Sequence, residues 1–406
     1  MSDNILNTIR KYIPHQIFNF FQPIYHYKLA LISAMFYRFP SRKIKIIGVT
    51  GTKGKSTTVE IINAILEKAG YKTALSNTIR YKIGNDSTPN KFKMSMPGRF
   101  FIQKFIKKAV DTKCDYLILE MTSQGTIQFR HKFISLNALV FTNLSPEHIE
   151  SHGSYEEYVK AKLEIAKELS RSNKRPRIMI TNADDKEGNR FLAFEADIKK
   201  TYSLNENIPK TSLLGDFNKY NILAAITLAR TLGIEEKIIE SAILDFTEVP
   251  GRVQFIECGQ DFRVVVDYAH TADSMEKFYQ IFKGKNICVF GAAGGGRDKW
   301  KRKEMGKIAD KYCDEIILTD DDAYDEDPEQ IAKEIAEGII NKIPKIITDR
   351  RKAISEGLKM AKTYDNVLIT GKGTDAYLMG PDGKKLPWND AEITREELGK
   401  IAKTII

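Results

Sequence analysis

The sequence predicts an α/β protein built from two domains, and three observations lead to that prediction. The chain has 406 residues, which is more than one hydrophobic core of ordinary size holds. Short β-rich runs alternate with helical patterns, which is typical of a mostly parallel sheet covered by helices. A turn-rich segment over residues 248–252 separates two series of these runs and is the predicted linker.

The predicted strands fall into two series. The first covers residues 44–49, 116–121, 138–142 and 177–181, and the second covers residues 263–266, 286–290, 315–319, 345–347 and 366–370. After the first strand, apolar residues recur at helical spacing from Val59 to Ala69, and Gly70 is the expected end of that helix. We therefore predict a first domain over residues 41–248 and a second over residues 249–406.

Residues 1–40 form a short aromatic-rich segment ahead of the first domain. Between Tyr12 and Tyr27 the sequence has no formal charge, and Pro14 and Pro23 interrupt it. A membrane-spanning helix needs about 20 mostly apolar residues, and a signal peptide needs a basic start with a small-residue cleavage site, so neither is predicted. Two interpretations stay open: a helix packed on the first domain, or an amphipathic piece in peripheral contact with a membrane or a partner.

Charge and cysteine usage restrict the function classes. The 63 basic and 53 acidic residues are spread along the chain, so the net charge of +10 fits an ordinary basic surface as well as a polyanionic substrate or a membrane. No recognition motif supports nucleic-acid binding. The four cysteines are scattered without a C-x-x-C pair, which argues against a zinc site or a disulfide framework and fits a reducing, cytoplasmic location.

The first strand leads into a helix through G-V-T-G-T-K-G-K-S-T at residues 48–57, which is the context that a phosphate-binding loop requires. Glycines let backbone N–H groups turn toward phosphate oxygens, Lys55 neutralises the β and γ phosphates, and Ser56 is placed to bind Mg²⁺. The predicted nucleotide contacts are Gly51, Thr52, Lys53, Gly54, Lys55, Ser56 and Thr57. Glu120 ends an apolar strand near this loop, where a carboxylate is well placed to hold magnesium.

This loop resembles that of the Mur ligases, and further matches follow in family order from about residue 42 to about residue 394. F-T-N-L-S-P-E-H at residues 141–148, followed by H-G at residues 152–153, resembles F-T-N-L-x-x-D-H-L-x-x-H-G. Y-V-K-A-K at residues 158–162 resembles Y-x-x-A-K, and D-Y-A-H-T-A-D-S at residues 267–274 resembles D-Y-A-H-x-P-D-S. Within the family, these motifs are most similar to those of the tripeptide synthetases.

The resemblance implies a central P-loop ATP-binding domain with a mostly parallel sheet, followed by a C-terminal Rossmann-like α/β domain. Its implied cofactors are ATP and Mg²⁺, with a carbamate that carbon dioxide forms on Lys162. The implied catalytic residues are Lys55, Glu120, His148, Lys162 and Arg252, and the implied metal ligands are Ser56, Glu120, His148 and Lys162. The implied nucleotide contacts farther along the chain are Asn218, Asn221, Arg252 and Asp267.

The implied contacts to the peptide acceptor and the amino acid are Ser123, Arg130, His270, Asp322, Tyr324, Gly371 and Asp375. Tyr324 stands where an arginine of the family binds the distal carboxylate of diaminopimelate. Asp322 and Asp375 instead offer negative charge, so an amine such as lysine is the expected amino acid.

The activity implied by the resemblance is amide-bond formation between an amino acid and a peptide carboxylate, expected in a muramyl-peptide-type cell-wall precursor. ATP activates the carboxylate as an acyl phosphate, giving ADP and phosphate. Residues 1–40 are too few for the family's uridine-nucleotide-binding domain, so a lipid-linked or otherwise modified acceptor is expected. A monomer is also expected. Two alternatives stay open: a folylpolyglutamate-synthase-like ligase and a nucleotide-gated binding module without ligation.

Overall fold

The computed structural model describes residues 15–147, 152–296 and 299–405, and it divides into two compact units. The first unit extends to Ile208 and also takes in Tyr220–Ile243, and the second comprises Pro209–Lys219 and the chain from Leu244 onward. The α/β class predicted from the sequence is confirmed. Pro209–Lys219 groups with the second unit although we expected it in the first domain, and the domain limits themselves stay a prediction.

The chain up to residue 245 forms eight strands and eight helices within the described residues, with a 3₁₀ turn at Pro40–Lys43. In chain order they are α1 (His15–Phe36), β1 (Lys45–Thr50), α2 (Lys55–Lys68), β2 (Thr73–Ser76), β3 (Arg80–Ile83), β4 (Asp86–Pro89), α3 (Arg99–Asp111), β5 (Tyr116–Met121), α4 (Ser123–Ile127), β6 (Ala138–Phe141), α5 (Tyr155–Ser170), β7 (Ile178–Asn182), α6 (Gly188–Leu192), β8 (Ile198–Tyr202), α7 (Asp216–Thr231) and α8 (Glu236–Asp245).

The first unit is organised around one sheet of order β4-β3-β2-β5-β1-β6-β7-β8. The β2–β3 and β3–β4 pairs are antiparallel, and the other neighbouring pairs are parallel. β1 lies between β5 and β6, with Val49 opposite Glu120 and Thr50 opposite Phe141. Since the strands are parallel, the loops after β1, β5 and β6 meet at one edge of the sheet. The phosphate loop, Glu120 and the F-T-N motif are thereby brought together.

The helix α1 packs against α3 through a face of small residues, of which Ala30, Ser33 and Ala34 are buried. It continues through Pro23, which we expected to interrupt it. Pro23 is exposed, so the carbonyl group that loses its helical partner can be hydrated. No helix in the described part of the chain is both long and apolar enough to cross a membrane.

The second unit has its own set of elements from Gln254 onward. They are β9 (Gln254–Phe255), β10 (Arg263–Asp267), α9 (Ala272–Tyr279), β11 (Asn286–Phe290), α10 (Trp300–Tyr312), β12 (Glu315–Leu318), α11 (Pro328–Ala336), β13 (Lys345–Ile346), α12 (Arg350–Met360), β14 (Asn366–Thr370), β15 (Tyr377–Met379), β16 (Lys385–Pro387) and α13 (Asp390–Ile405). Six of these strands form a sheet of order β13-β12-β11-β14-β10-β9, in which β9 is antiparallel to its neighbour and the other described pairs are parallel. Apolar clusters line both faces of this sheet, which agrees with a Rossmann-like arrangement.

All the predicted strands are present, with ends within one residue of the expected ones. The structure adds short strands that no apolar pattern predicts, such as β4, which is exposed along its whole length.

The expectation about cysteines was wrong for one pair, because Cys288 and Cys313 form a disulfide with Cα atoms 5.9 Å apart. Cys288 lies in β11 and Cys313 directly follows α10, so the packing of that helix on the sheet brings them together. Cys114 and Cys258 are free.

Candidate functional site

The phosphate loop between β1 and α2 needs glycine at two positions. Gly51 and Gly54 have φ angles of +150° and +80°, which side-chain-bearing residues rarely adopt. A Cβ atom on Gly51 would lie 1.9 Å from Oγ1 of Thr142, and one on Gly54 would lie 2.1 Å from Oδ1 of Asn221. Thr142 and Asn221 therefore pack directly against the loop. Asn221, predicted as a nucleotide contact, lies where it can position the loop.

The loop is also held by the F-T-N motif after β6, whose residues we had not assigned roles. The Thr52 N–H donates to the Asn143 carbonyl at 2.7 Å, and the Lys53 N–H donates to Oδ1 of Asn143 at 3.0 Å. The Thr142 hydroxyl donates to the Lys53 carbonyl at 2.7 Å. The motif match was the signal that pointed to these residues, and the contacts explain their presence as positioning residues for the loop.

Glu120 lies at the end of β5 as a buried carboxylate surrounded by hydrogen-bond donors. Its Oε2 accepts from the Ser56 hydroxyl at 2.7 Å and from the Thr78 N–H at 3.1 Å. Its Oε1 accepts from the Ser95 hydroxyl at 2.8 Å and from the Thr78 hydroxyl at 3.0 Å. Burial alone would raise the pKa of Glu120, but the Lys55 charge and these hydrogen bonds together hold it below its ordinary value. Glu120 is therefore ionised beside Ser56.

Lys162 lies on α5 with its amine buried against the phosphate loop. The side chain is 2% exposed, and Nζ donates to the Gly51 carbonyl at 2.6 Å. Burial, and after it the charge of Lys55, lowers the pKa of Lys162 well below its ordinary value. Next to it, the Tyr158 hydroxyl and the Thr52 hydroxyl lie 2.9 Å apart. The arrangement favours a neutral, nucleophilic amine at Lys162.

The residues predicted to contact the acceptor follow β5. Ser123 begins α4, and its hydroxyl lies 3.1 Å from Nε2 of His152. Burial, followed by the charge of Lys162, lowers the pKa of His152. Arg130 donates to the Met96 carbonyl and to Oε1 of Gln128. The predicted metal ligand His148 lies outside the described residues.

In the second unit, Arg252 and Asp267 organise neighbouring turns. The Arg252 guanidinium lies 4.2 Å from the centre of the Tyr268 ring. Asp267 is buried and accepts from the Val253 and Ala269 N–H groups, both at 2.7 Å. Burial raises the pKa of Asp267 even though the charge of Arg252 opposes that shift. Asp267 thus holds the backbone that follows Arg252 and the turn that follows β10, and its role toward the nucleotide stays a prediction.

Two other predicted contacts in this unit bond to backbone atoms. His270 is exposed, with Nδ1 2.8 Å from the Tyr268 carbonyl. Asn218, at the start of α7, donates from Nδ2 to the Leu214 carbonyl at 2.8 Å. This contact fixes the Asn218 amide against the turn that precedes α7, and a nucleotide role for Asn218 stays a prediction.

The predicted amino-acid contacts surround a buried lysine that we had not singled out. Nζ of Lys372 lies 2.7 Å from Oδ1 of Asp322, 3.3 Å from Oδ2 of Asp375 and 3.7 Å from Oδ1 of Asp321. Burial opposes the shift, but these carboxylates hold the pKa of Lys372 above its ordinary value. The Asp322 carboxylate also accepts from the Met379 N–H at 2.8 Å. Internal contacts therefore occupy Asp322, and the preference for lysine as substrate stays a prediction.

Backbone geometry in the same region is strained. Asp322 and Tyr324 have φ angles of +59° and +53°, in the left-handed region. A Cβ atom on Gly371 would lie 2.2 Å from Oδ2 of Asp321, and one on Gly294 would lie 2.2 Å from the Ala323 carbonyl oxygen. The glycine-rich loop after β11 (residues 291–296) and the loop after β14 therefore both approach the loop of residues 320–324 closely. Strain of this kind collects at binding sites.

Family profiles match both parts of the chain. Residues 49–211 match the Mur ligase middle domain, and residues 251–373 match the Mur ligase, glutamate ligase domain. The UDP-N-acetylmuramoyl-L-alanyl-D-glutamate–2,6-diaminopimelate ligase of Syntrophomonas wolfei is 36% identical over 408 residues, covering 92% of this chain and 82% of that protein. The ligase of the same name from Aquifex aeolicus is 36% identical over 393 residues, covering 90% and 79%.

Solved structures show the same fold. A structure of a UDP-N-acetylmuramoyl-L-alanyl-D-glutamate–2,6-diaminopimelate ligase superposes with a TM-score of 0.59 at 26% identity, covering 88% of this chain and 79% of that chain. The folylpolyglutamate synthase of Mycobacterium tuberculosis superposes with a TM-score of 0.70 at 13% identity, covering 86% and 93%. At that identity the second match is evidence for the fold alone.

Proposed function

Because this chain belongs to the Mur ligase family, we propose that it is an ATP-dependent, ADP-forming ligase that joins an amino acid to the peptide carboxylate of a muramyl-peptide acceptor. The observation that carries the proposal is the meeting of three groups at the phosphate loop. Ser56 and the ionised Glu120 share a hydrogen bond, and the buried Lys162 amine bonds to Gly51 of the same loop. A binding module without ligation has no need for this combination.

The residues present suit Mg²⁺ as the metal. The Ser56 hydroxyl and the Glu120 carboxylate are oxygen donors, which Mg²⁺ prefers, and magnesium sites commonly use one or two carboxylates with substrate phosphates. The described residues contain no cluster of three or more His, Cys, Asp or Glu side chains that could hold a metal. Nucleotide phosphates would therefore complete the coordination, with Mg²⁺ offsetting their charge.

We also propose that Lys162 carries a carbamate. A lysine amine reacts with carbon dioxide only when it is neutral, and burial next to Lys55 favours that form of Lys162. The reaction converts the neutral amine into an anionic carbamate and releases a proton, and the charge of Lys55 offsets the cost of burying that anion. A carbamate there would supply a further oxygen donor close to Gly51.

The reaction then follows from what each group can do. The loop N–H groups and Lys55 bind the ATP phosphates and stabilise charge on the transferring group. A carboxylate oxygen of the acceptor attacks the γ-phosphorus, and ADP leaves. The amine nitrogen attacks the acyl carbon, the C–O bond to phosphate breaks, and the nitrogen releases a proton. Exclusion of water from the acyl phosphate is needed throughout.

The amino acid is proposed to be a diamino acid. The relatives in Syntrophomonas wolfei and Aquifex aeolicus are named for 2,6-diaminopimelate, which differs from lysine by a second carboxylate. Tyr324 lacks the cationic fork that would bind that carboxylate, and Lys372 lies close to the acidic residues of the same loop. The two candidates therefore have to be compared directly. The expected monomeric state and cytoplasmic location stay predictions.

The test is release of ADP by purified protein with Mg²⁺ and bicarbonate, using uridine-linked and lipid-linked muramyl dipeptides paired with lysine, diaminopimelate and glutamate. We expect release to require both an acceptor and a diamino acid. Release with a folate acceptor and glutamate would instead support the folylpolyglutamate-synthase-like alternative. ATP hydrolysis that ignores every acceptor would contradict the proposed ligase.

The outer face of α1 supports peripheral contact with an anionic lipid surface. Phe21, Ile24, Ile32, Met35 and Phe36 recur at helical spacing and are exposed, with Phe36 70% exposed. The described helix has no acidic residue, and the nearby cations Lys28 and Arg38 are exposed. An apolar helix face accompanied only by positive charge is suited to the interface of an anionic membrane.

Sedimentation with lipid vesicles tests this contact. We expect the protein to bind vesicles rich in phosphatidylglycerol more strongly than phosphatidylcholine vesicles. Changing both Met35 and Phe36 to serine should weaken binding by at least about 10-fold, because each buried side chain of this size contributes roughly 1.5–3 kcal/mol. The matched control changes Ile340 and Ile343, equally apolar and exposed in the second unit, to serine. Equal loss in both variants, or no vesicle binding by the unaltered protein, would contradict the membrane contact.

A further inference from the structure

Two arginines of the first unit share Gln128 as a hydrogen-bond acceptor and bond to neutral oxygen atoms within the described part of the chain. Arg99 begins α3 and is buried, and its Nη2 donates to the Gln128 carbonyl. Arg130 donates to Oε1 of Gln128 and to the Met96 carbonyl. The Nε atoms of both arginines are buried and have no hydrogen-bond partner among the residues that the structure describes. Gln128 therefore links two guanidinium groups that still have donors to offer.

A histidine from α1 completes this group. Nδ1 and Nε2 of His26 are both buried, and residues 15–147, 152–296 and 299–405 give neither atom a hydrogen-bond partner. Burial, then the charges of Arg99 and Arg130, lowers the pKa of His26 to about 4, so its ring is neutral and lies within the field of both cations. A neutral imidazole keeps one N–H donor. The cluster thus contains three groups able to donate to the same ligand.

The electrostatics of the cluster favour an anion. Burial, and after it the neighbouring charge of Arg130, lowers the pKa of Arg99 to about 10, while Tyr25 opposes the shift. Within the described residues, the oxygen atoms to which the two arginines donate are the carbonyl oxygens of Gln128 and Met96 and the amide oxygen of Gln128, all of them neutral. Buried cations without a counter-ion are unfavourable, and a carboxylate or phosphate that accepts from a guanidinium offsets that cost.

The cluster also lies next to the catalytic carboxylate. The Met96 carbonyl that accepts from Arg130 follows Ser95 in the chain, and the Ser95 hydroxyl donates to Glu120 at 2.8 Å. Arg130 was predicted from the family resemblance to contact the acceptor. A ligand anion bound here would therefore belong to a molecule whose reacting carboxylate reaches the phosphate loop.

We propose that Arg99 and His26 are specificity-determining residues that, with Arg130, bind a second anionic group of the acceptor, a carboxylate or a phosphate, remote from the carboxylate that is activated. This inference rests on the proposed function. It makes α1 part of the acceptor site, and it predicts that acceptors lacking the second anion are poor substrates.

Steady-state kinetics test the assignment. Arg99→Met should raise the KM for the acceptor by about 10- to 100-fold, since a hydrogen bond to a charged group contributes about that factor. The KM for ATP and kcat should change less than about threefold, and Arg99→Lys should recover part of the loss. His26→Phe keeps the ring shape and should raise the acceptor KM by a smaller factor. Arg42→Met, which alters an exposed arginine near the end of α1, is the control.

Modified acceptors distinguish the two anions. If the site binds a carboxylate, amidation of the second carboxylate should raise the KM of the unaltered protein to that of Arg99→Met and have no further effect in the variant. If it binds a phosphate, an acceptor without the phosphate should behave in that way. An unchanged acceptor KM in Arg99→Met, or an equal rise for acceptor and ATP, would overturn the proposal.

A binding measurement separates this inference from the ligase proposal. With ADP present, glutarate and inorganic phosphate are titrated while the C2 proton of His26, identified from its absence in His26→Phe, is followed by NMR. We expect one of the two anions to shift this resonance and to raise the pKa of His26, and no shift in Arg99→Met. Absence of any shift in the unaltered protein would overturn the anion site, whether or not the protein is a ligase.

Discussion

Replacing Lys162 with methionine is expected to lower acceptor-dependent ADP release by at least about 10²-fold, the usual cost of losing one group that stabilises transition-state charge. Methionine fills the same buried space but can form no carbamate. The bond from Nζ to Gly51 and the anion proposed for this position are lost together. Lys160→Met is the control on the same helix, because that lysine is exposed and forms a surface ion pair with Glu157 at 2.8 Å. It should retain full activity.

Two further measurements separate the carbamate from a merely structural lysine. Removal of carbon dioxide should lower the activity of the unaltered protein, bicarbonate should restore it, and ¹³C-labelled bicarbonate should give a carbamate signal that Lys162→Met lacks. Short carboxylates such as acetate should partly restore the variant. Activity of Lys162→Met within about threefold of the unaltered protein would contradict the proposed role.

The pKa of Lys162 also gives the sign of a stability effect. Burial lowers the pKa in the folded state, so between that pKa and the ordinary value near 10.4 the unfolded chain binds more protons than the folded one. Stability contributed by this group therefore rises with pH through that window. At neutral pH without carbon dioxide, Lys162→Met should melt at the same temperature or higher. A lower melting temperature would show that the lysine stabilises the fold.

Replacing Arg350 with methionine is expected to destabilise the second unit by about 3–5 kcal/mol, because it leaves a buried carboxylate without its partner. Nε and Nη2 of Arg350 donate to the two Asp390 oxygens at 2.8 and 2.7 Å, and both side chains are fully buried. The same guanidinium donates to the carbonyls of Asp320 and Thr370, at the edges of the predicted amino-acid loops. Loss of Arg350 should therefore also raise the KM for the amino acid.

Tryptophan fluorescence during urea unfolding measures this effect in the second unit alone. The protein's two tryptophans, Trp300 and Trp388, both lie there. Arg351→Met is the control, since that arginine is partly exposed and its pairs with Glu396 and Glu397 should contribute less than about 1 kcal/mol. Changing Asp390 to leucine in the Arg350→Met background should recover much of the stability. Equal effects of the two single arginine changes would contradict the argument.

Much of the active-site architecture was accessible from the sequence because its elements are local. The strand, loop and helix around Gly51 and Gly54 have their own pattern of apolar residues and glycines, and parallel strands bring their carboxyl ends to one edge. That rule was enough to place Glu120 near the phosphate loop. Lys162 was found through its motif, and the structure adds a physical reason for a lysine there, since its buried amine lies against the loop.

Other features depend on residues that are far apart in the chain and follow no periodic pattern. The sequence determined the two sheets and the order of the motifs, since strand length, apolar spacing and turn residues are encoded locally. Only the tertiary structure decided that Lys372 neutralises Asp322, that Cys288 meets Cys313, and that His26 faces Arg99 and Arg130. The reason is that helix packing on a sheet sets such contacts, and the energy of a buried charge depends on which partner that packing supplies.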